Sequence, residues 1–309
     1  VEHIAKSLSS FSSHAVLAYE EIFEDIDFTK NLIKKEPIFL YESKDLFNKN
    51  QFSLNLRKKF NIDFDIIKKE DIAKIEPNLN HIYYNGIILK GEIFTTSPLK
   101  ITQKIYNHFI KNKGIFVQSK IKSIKKENNS LFLQYENENH LFDKIIVAAG
   151  AWSNILARSI GDNFPLDVER GYHIVFEGKK DLITHPIGWA KTGFYITPME
   201  DGIRAAGTVE IAGLKKPMNK NILNLIEKTS RNILPQLGKV KSQWMGFRPT
   251  LPDSLPVIGE STKCKNVFYA FGHQHLGLSL AAVTGKAILS LIEKKPTNID
   301  IGPLNPSRF

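Results

Sequence analysis

The sequence predicts a two-domain protein of the α/β + α+β class. One domain has the element order of the back half of a nucleotide-binding α/β domain, and the second is built on an antiparallel sheet. A chain of 309 residues, 42% of them hydrophobic, is long enough to form two cores. Strand-length segments crowd the stretch 165–213, which predicts the second domain. The chain closes with a strand, a Gly/His turn and a helix, yet no GxGxxG motif follows any predicted strand.

The first hundred residues predict alternating helices and short strands. Ser43 has a side chain suited to cap the helix that follows it. The predicted order is one amphipathic helix over 4–23, a short strand PIFLYES, a helix over 43–60, a short helix or loop over 66–76 and a strand over 86–94.

The next stretch predicts the back half of a nucleotide-binding α/β domain. Ser97, Pro98 and Gly114 stand at the N-cap, at the first position and just past the end of a helix. A long strand over 115–127, a hairpin and a buried strand at Ile145–Val147 follow, and small residues come directly after the last strand. Helix, meander and buried strand in this order are typical of such a domain.

The rest of the chain predicts that the backbone enters the second domain again and then ends in the first. Turn residues separate the strands of 165–213, and a helix over 221–234 and a strand containing Arg248 precede the closing strand, turn and helix. We therefore predict one domain of residues 1–35, 96–162 and 250–309, and a second of residues 36–95 and 163–249.

Composition narrows the classes of partner. The net charge is +10, and only seven of the 42 cationic side chains are Arg. The lysines lack interleaved aromatics, which favours a solvated surface over a nucleic-acid groove. The single cysteine, Cys264, excludes an internal disulfide and suits the cytoplasm. No apolar run reaches the roughly 18 residues of a membrane span, although the basic charge favours peripheral association with the inner face of the cell membrane.

Two features near the end of the chain point to binding of negative groups. Arg248 can hold a carboxylate with two parallel hydrogen bonds, and an interdomain salt bridge is the alternative interpretation. The turn of residues 272–277 opens a helix, whose N-terminus favours negative charge. His273 and His275 have no Cys, Asp or Glu cluster beside them in the sequence, so no metal site is predicted.

These segments, in this order, resemble the family of FAD-dependent amine oxidoreductases that includes D-amino acid oxidase, glycine oxidase, sarcosine oxidase and bacterial D-amino acid dehydrogenase. They look most like the dehydrogenase branch. The resemblance rests on VAAGAW, ERGYHIVF, FYITPMEDGIRAAGTVE, WMGFRPTLPDSLPVIG, FYAFGHQHLGLSLA and the terminal PSRF. Members of the family begin with a strand, a GxGxxG turn and a helix. The resemblance therefore implies that this chain is N-terminally truncated and that its Rossmann-like FAD-binding domain lacks its first βαβ unit.

The resemblance implies an activity in amino acid catabolism and a role for individual residues. The reaction would be oxidation of D-amino acids, or of secondary amines such as D-proline or D-hydroxyproline, by hydride transfer to flavin N5. The first predicted domain would bind FAD and the second the substrate. Arg248 and Tyr195 would bind the substrate carboxylate, and His273 and His275 would flank the flavin. FAD would contact Ile121, Ala149, Gly150, Ala151, Gly272, His273, Gln274, His275, Leu276, Gly277 and Leu278.

Two other functions stay open on the sequence alone. A truncated chain could keep its substrate domain without holding FAD, and the purified protein would then be pale. A tRNA-modifying flavin domain is the other alternative, and the +10 charge favours it modestly. The electron acceptor, whether a quinone, another carrier or oxygen, is not decided by the sequence.

Overall fold

The chain forms two compact units. The computed structural model describes residues 1–24, 26–27, 32–178, 180–296 and 298–309. Unit 1 consists of Val1–Ile26, Ile105–Glu169 and Phe247–Phe309, and unit 2 of Asp27–Lys104 and Arg170–Gly246. The two predicted domains alternate along the chain in the same order, and their assignment to FAD and to substrate stays a prediction.

Side-chain caps begin three of the α-helices of the described residues. Ser97, predicted as the N-cap of the helix that starts at Pro98, accepts a hydrogen bond at Oγ from the Lys100 N–H at 3.4 Å. Ser43 Oγ accepts a hydrogen bond from the Leu46 N–H at 3.2 Å, and the Asn219 side chain accepts one from the Asn221 N–H at 3.1 Å. The helices of the described residues are α1 (Glu2–Ser12), α2 (Ala15–Phe23), α3 (Lys44–Lys49), α4 (Gln51–Lys59), α5 (Lys69–Ile75), α6 (Pro98–Lys111), α7 (Ser153–Arg158), α8 (Lys220–Ile233) and α9 (Gly277–Glu293).

The strands of the described residues form one large sheet and three small ones. They are β1 (Leu32–Lys34), β2 (Ile38–Tyr41), β3 (Phe64–Lys68), β4 (Asn85–Leu89), β5 (Ile93–Thr95), β6 (Ser123–Glu127), β7 (Ser130–Tyr135), β8 (Glu138–Phe142), β9 (Ile145–Val147), β10 (Asp167–Phe176), β11 (Ile187–Trp189), β12 (Phe194–Met199), β13 (Gly202–Ile211), β14 (Val240–Thr250), β15 (Val257–Glu260) and β16 (Val267–Phe271). The large sheet has the order β14-β10-β13-β12-β11-β2-β4-β3, and the small ones are β1-β5, β15-β16-β9 and β6-β7-β8.

Unit 1 packs its last helix against a small sheet. Strand β16 runs parallel to β9 and antiparallel to β15. Leu280, Val283 and Ala287 of α9 are buried with Phe11 of α1 and Ala18 of α2. This packing buries one face of α9 and fixes the position of its N-terminus, because a helix held by its apolar stripe is fixed along its whole length.

Unit 2 contains the large sheet and the larger core. Strand β12 is antiparallel to β11 and β13, whereas β11 and β2 are parallel, so the sheet is mixed. One face carries buried Ile38, Leu40 and Trp189, which pack with apolar residues of α8. On the other face a smaller cluster joins Tyr41 of β2 to Leu54 of α4. Side chains alternate between the two faces along β2, so this second face also carries apolar residues, and the α3–α4 segment covers part of it.

Several predicted elements are wrong in their extent, and the strand predicted over 86–94 is one of them, because it divides into β4 and β5. The first helix is divided at Ser13 and His14, because the side chains of Ser13 and His14 both bond to the Ser10 carbonyl, at 2.8 and 2.9 Å, and so compete with the helix. The predicted helix over 43–60 divides at Asn50 into α3 and α4. The short helix or loop predicted over 66–76 is a helix only from Lys69 onward, as α5, because residues 64–68 pair with β4 and form the strand β3.

The long strand predicted over 115–127 is present only from Ser123 onward, as β6. Residues 115–121 belong to no strand within the described parts of the chain, and Lys122 makes a single hydrogen bond from its N–H to the Gln134 carbonyl of β7 at 2.8 Å. Ile115 and Phe116 are accordingly 83% and 60% exposed. An apolar segment that forms no ladder has no backbone pairing to hold it extended.

One helical stretch of the described residues, Gln274–Glu293, is long and apolar enough to cross a membrane, with a mean hydropathy of 1.5 in its best window. The prediction that no segment resembles a span is therefore wrong on length and composition. It relied on an unbroken apolar run, which Lys286 interrupts. About a third of the window, 33%, is buried, and a core helix passes the same test.

Candidate functional site

Two predicted cofactor segments lie at the same edge of the small sheet in unit 1. Strands β9 and β16 are parallel neighbours, with Val147 opposite Tyr269. Because both strands run in the same direction, the turns that follow them leave the sheet at one edge. Residues 148–152 follow β9, and residues 272–276 follow β16. The structure thus brings Ala149, Gly150 and Ala151 to the edge that also carries the Gly/His turn.

The first turn is shaped by a glycine. Gly150 has φ +54°, a conformation that most side chains disfavour, and a Cβ built on it would meet no described atom within 4 Å. The space beside the main chain at Gly150 is therefore open and can admit a ligand. A short 3₁₀ turn, Gly150–Trp152, leads into α7, and Trp152 packs edge-on against Phe247 with ring centroids 5.6 Å apart.

The second turn ends at the N-terminus of α9. Gly272 has φ +86°, and a Cβ there would lie 2.5 Å from Leu251 Cδ1, so only glycine fits. No side chain of the residue before α9 caps the helix. An N-terminus without such a cap presents its first N–H groups and the positive end of the helix dipole. Gln274, Leu276, Gly277 and Leu278 all belong to this junction.

His273 and His275 are both neutral at physiological pH. Burial lowers the pKa of His273 to about 4, and its Nε2 lies 2.9 Å from Thr284 Oγ1. Partial burial and the nearby positive charge of Arg248 lower the pKa of His275, while Glu169 opposes this effect. The two imidazole rings thus have different neighbours. His273 lies beside a hydroxyl of α9, and His275 lies near a guanidinium.

Arg248 is half-buried in unit 1 and lies within electrostatic reach of the second turn. Burial lowers the pKa of its guanidinium, and the Glu169 carboxylate raises it. An Arg side chain keeps its charge in proteins, so Arg248 is a cation at all relevant pH values. Glu169 was not predicted from the sequence, because it is separated from Arg248 by 79 positions in the chain and carries no local motif.

Tyr195 lies in unit 2, on β12. Its ring packs edge-on against Phe39 with centroids 5.3 Å apart, and the side chain is 40% exposed. Burial raises the pKa of its hydroxyl, which is therefore protonated and able to donate. Because Arg248 belongs to unit 1, the predicted pairing of both residues on one carboxylate stays a prediction.

Ile121 is not brought to the edge by a strand, since it lies just before β6 in a segment without regular secondary structure. Its predicted contact with adenine stays a prediction. Among the described residues no group of three or more His, Cys, Asp or Glu side chains could hold a metal ion.

A family model described as FAD dependent oxidoreductase, DAO, matches residues 3–291. The chain belongs to this family. A D-amino-acid oxidase of Bradyrhizobium diazoefficiens is 29% identical over all of this chain and 75% of its own length. A D-amino acid dehydrogenase of Rhizobium rhizogenes is 25% identical over 80% of this chain and 61% of its own length. The crystal structure of glycine oxidase from Geobacillus kaustophilus superposes with a TM-score of 0.85 at 21% identity, covering 98% of this chain and 82% of that one.

The residues at the edge of unit 1 fit the flavin end of FAD, the cofactor of the family. Gly150 leaves open space beside the main chain, and the α9 N-terminus offers N–H groups toward a ring that becomes negatively charged on reduction. The family match confirms the resemblance predicted from the sequence, and the superposition on glycine oxidase confirms the predicted fold class. The turn residues Gly272–Leu278 are the segment that would hold that ring.

Proposed function

We propose that the protein oxidises D-amino acids, or secondary amines such as D-proline and D-hydroxyproline, to imino acids with FAD. The observation that carries this proposal is the position of Arg248, which lies in unit 1 on β14 and close enough to the turn after β16 for its charge to act on His275. It means that a guanidinium lies near the turn that fits a flavin. An amino acid oxidised at such a site needs its carboxylate held, and a planar guanidinium is the side chain best suited to hold it.

Arg248 would fix the substrate by its carboxylate and so orient the Cα–H bond. Bound FAD supplies the acceptor for the hydride that leaves Cα. Positioning of this kind contributes a large share of the rate acceleration. The amino nitrogen keeps its bond to Cα and becomes the nitrogen of an imine, which water then hydrolyses to a 2-oxo acid and ammonia. When the amine is cyclic, hydrolysis opens the ring and the product is a 2-oxo acid that keeps the amino group.

The turn supplies two further functions. His275 is unprotonated at neutral pH and can accept a proton from a substrate ammonium group. The N-terminus of α9 stabilises negative charge that develops at the ring. Both the oxidase and the dehydrogenase among the relatives support an amino acid substrate, and the electron acceptor is left as part of the proposal.

The proposal is tested by Arg248→Lys. The variant keeps a positive charge but loses the planar pair of donors, and we expect kcat/KM for the best D-amino acid to fall by about 100-fold. The measurement is anaerobic reduction of the bound flavin by D-amino acids, L-amino acids and N-methyl amino acids, followed by absorbance.

Arg158→Lys is the matched control, since Arg158 is an exposed arginine of unit 1 that bonds to Asn163 at 2.9 Å. It should leave the reduction rate unchanged. Near-native kcat/KM in Arg248→Lys would remove the carboxylate role, and a flavin that no D-amino acid or secondary amine reduces would remove the substrate class.

A further inference from the structure

Unit 2 contains a cavity of about 360 Å³ whose lining has no acidic side chain within the described residues. Its floor is the face of β2, β11 and β12 that carries Phe39 and Tyr195, and its wall is the α3–α4 segment. A volume of this size suits a small organic molecule. Apart from Tyr195, the cavity contains none of the residues predicted from the family.

Two cationic side chains, Arg57 and Lys49, line this cavity. Arg57 is half-buried, donates to Ser53 Oγ at 2.9 Å and stacks its guanidinium over Phe39, 5.7 Å from the ring centroid. Within the described residues neither cation lies within 4.0 Å of a carboxylate. A cation that is partly withdrawn from water and has no counterion is a site for an anion.

The acid that directly follows β2 is already engaged. Glu42, directly after β2, accepts a hydrogen bond from Trp189 Nε1 at 2.8 Å and pairs with Lys191 at 2.9 Å. It therefore does not neutralise Arg57. The Arg57 guanidinium is held by Ser53 on one side and by an aromatic ring on the other, so little side-chain entropy is lost when it binds a ligand.

Aromatic residues form much of the remaining lining, and they are Phe39, Tyr41, Trp189, Phe194 and Tyr195. The Phe39 ring lies across Gly188, where a Cβ would come within 2.7 Å of Phe39 Cδ1. Tyr195 meets the same ring edge-on. A flat ring or a branched apolar group can therefore lie on this floor while its acid group reaches Arg57.

We propose that the unit 2 cavity binds an organic carboxylate with an aromatic or branched apolar body, and that Arg57 recognises the carboxylate. Such an acid has two sources, the amino acid that the enzyme oxidises or a separate acid that regulates it. The first source rests on the proposed function, whereas binding to the cavity does not.

The test uses phenylacetate and its neutral isostere phenylacetamide, titrated into the FAD-loaded protein by calorimetry. The titrations are made in an Arg248→Met background, so that the carboxylate site proposed in unit 1 does not contribute. We expect phenylacetate to bind at least about tenfold more tightly than the amide, because only the acid is paired by a guanidinium.

Arg57→Met should weaken phenylacetate binding by about tenfold or more, and Arg57→Lys by less, because a lysine keeps the charge without the fork. The matched control is Lys58→Met. Lys58 is a cation of the same helix that lies outside the cavity, with Nζ 6.0 Å from the centroid of Phe64. It should bind phenylacetate as the Arg248→Met parent does.

Equal binding of the acid and the amide, no binding of either, or unchanged binding in both Arg57 variants would overturn the proposal. With Arg248 intact, competitive inhibition of amino acid oxidation by phenylacetate that Arg57→Met weakens identifies the substrate as the natural acid, and non-competitive inhibition that Arg57→Met weakens identifies a separate acid. Inhibition that is the same in Arg57→Met and in the unmodified protein reports binding at Arg248 and not in the cavity. Binding through Arg57 in a protein that oxidises no amino acid would leave the cavity assigned and the proposed function rejected.

Discussion

The two units prepare their ligand-facing surfaces by different means. In unit 1 the turns after β9 and β16 rely on the main chain, through Gly150, Gly272 and the N-terminus of α9. In unit 2 the cavity relies on side chains, above all Arg57 and Phe39. A main-chain site tolerates few changes of backbone conformation, whereas a side-chain site changes its preference with a single substitution. We therefore expect mutations that alter ligand preference to concentrate in unit 2.

The units also differ in how each holds a loop with one buried carboxylate. Asp162 of unit 1 accepts hydrogen bonds from the hydroxyls of Ser261, Thr262 and Tyr269, the last at 2.7 Å. Glu76 of unit 2 accepts from the main chain and side chains of Thr184 and His185. The first set is made of hydroxyl donors, and the second includes an imidazole that can carry a charge.

The largest effect on stability should come from Glu76→Ala. Glu76 is 1% exposed, and its removal leaves two N–H groups, a hydroxyl and an imidazole without their acceptor. We expect the free energy of unfolding to fall by about 3 kcal/mol, measured by urea denaturation. Exposed Glu70 of α5 is the control, and Glu70→Ala should cost less than about 1 kcal/mol.

The same carboxylate makes unit 2 sensitive to acid. Burial raises the pKa of Glu76, but hydrogen bonds from His185 and Thr184 lower it more, so that the folded-state pKa lies below the ordinary 4.5. A lowered pKa contributes stability above pH 4.5 that is lost as the pH falls through the folded value. Glu76→Gln should therefore show a flatter dependence of Tm on pH below 4.5, and an unchanged acid dependence would contradict this account.

Asp162→Ala should have the next largest effect, in unit 1. Its two oxygens hold three hydroxyls, of which that of Tyr269 is fully buried, so we expect a loss of about 2 kcal/mol in unfolding free energy. Asp143→Ala, at an exposed turn of the same unit, is the control. A loss as small as in that control would show that water replaces the carboxylate.

A smaller gain is expected from Gly285→Ala on α9. A Cβ at Gly285 would meet no described atom within 4 Å, so helix propensity alone decides the outcome. The variant should be more stable by about 1 kcal/mol, which a thermal shift measures. A simultaneous loss of FAD affinity would show that the cofactor lies against this face, and that unit 1 depends on this helix surface as well as on its turns.

The most local effect concerns His275. Arg248→Met removes the positive charge that lowers the pKa of His275, so this pKa should rise. The pKa of His273 should stay at about 4, because burial alone lowers it. Titration of the two imidazole signals by NMR measures both, and parallel changes would mean that the substitution disturbs the whole turn.

Local signals in the sequence predicted elements whose cause is local. Ser43 caps α3 as expected, and the Gly272 turn precedes α9 where Gly and a following apolar stripe predict it. Tertiary pairing overrode the prediction at residues 64–68, since β4 draws them into a strand. The break between α1 and α2 at Ser13 depends on a side chain that donates to the Ser10 carbonyl of its own helix. The spacing of apolar residues carries no signal of such a bond.

The candidate sites divide in the same way. The turns of unit 1 carry glycines and a helix start, both visible in a sequence, and Arg248 stands out in a chain with seven arginines. Glu169 was missed because Arg248 is distant from it in the chain. Arg57 was missed because the sequence shows it as one more cation of an exposed helix, and the ring that it stacks on, Phe39, belongs to another element. In a lysine-rich chain, each arginine was a signal worth following.

The N-terminus of α9 has one consequence for how the enzyme would respond to acidity. Peptide N–H groups do not ionise in the pH range over which imidazoles and carboxylates titrate. Electrostatic support drawn from them is therefore the same in an acidified cell as in a neutral one. A redox centre seated there would owe any change in its behaviour with pH to substrate and solvent protons and to the imidazoles of the turn, and not to the peptide groups of the helix.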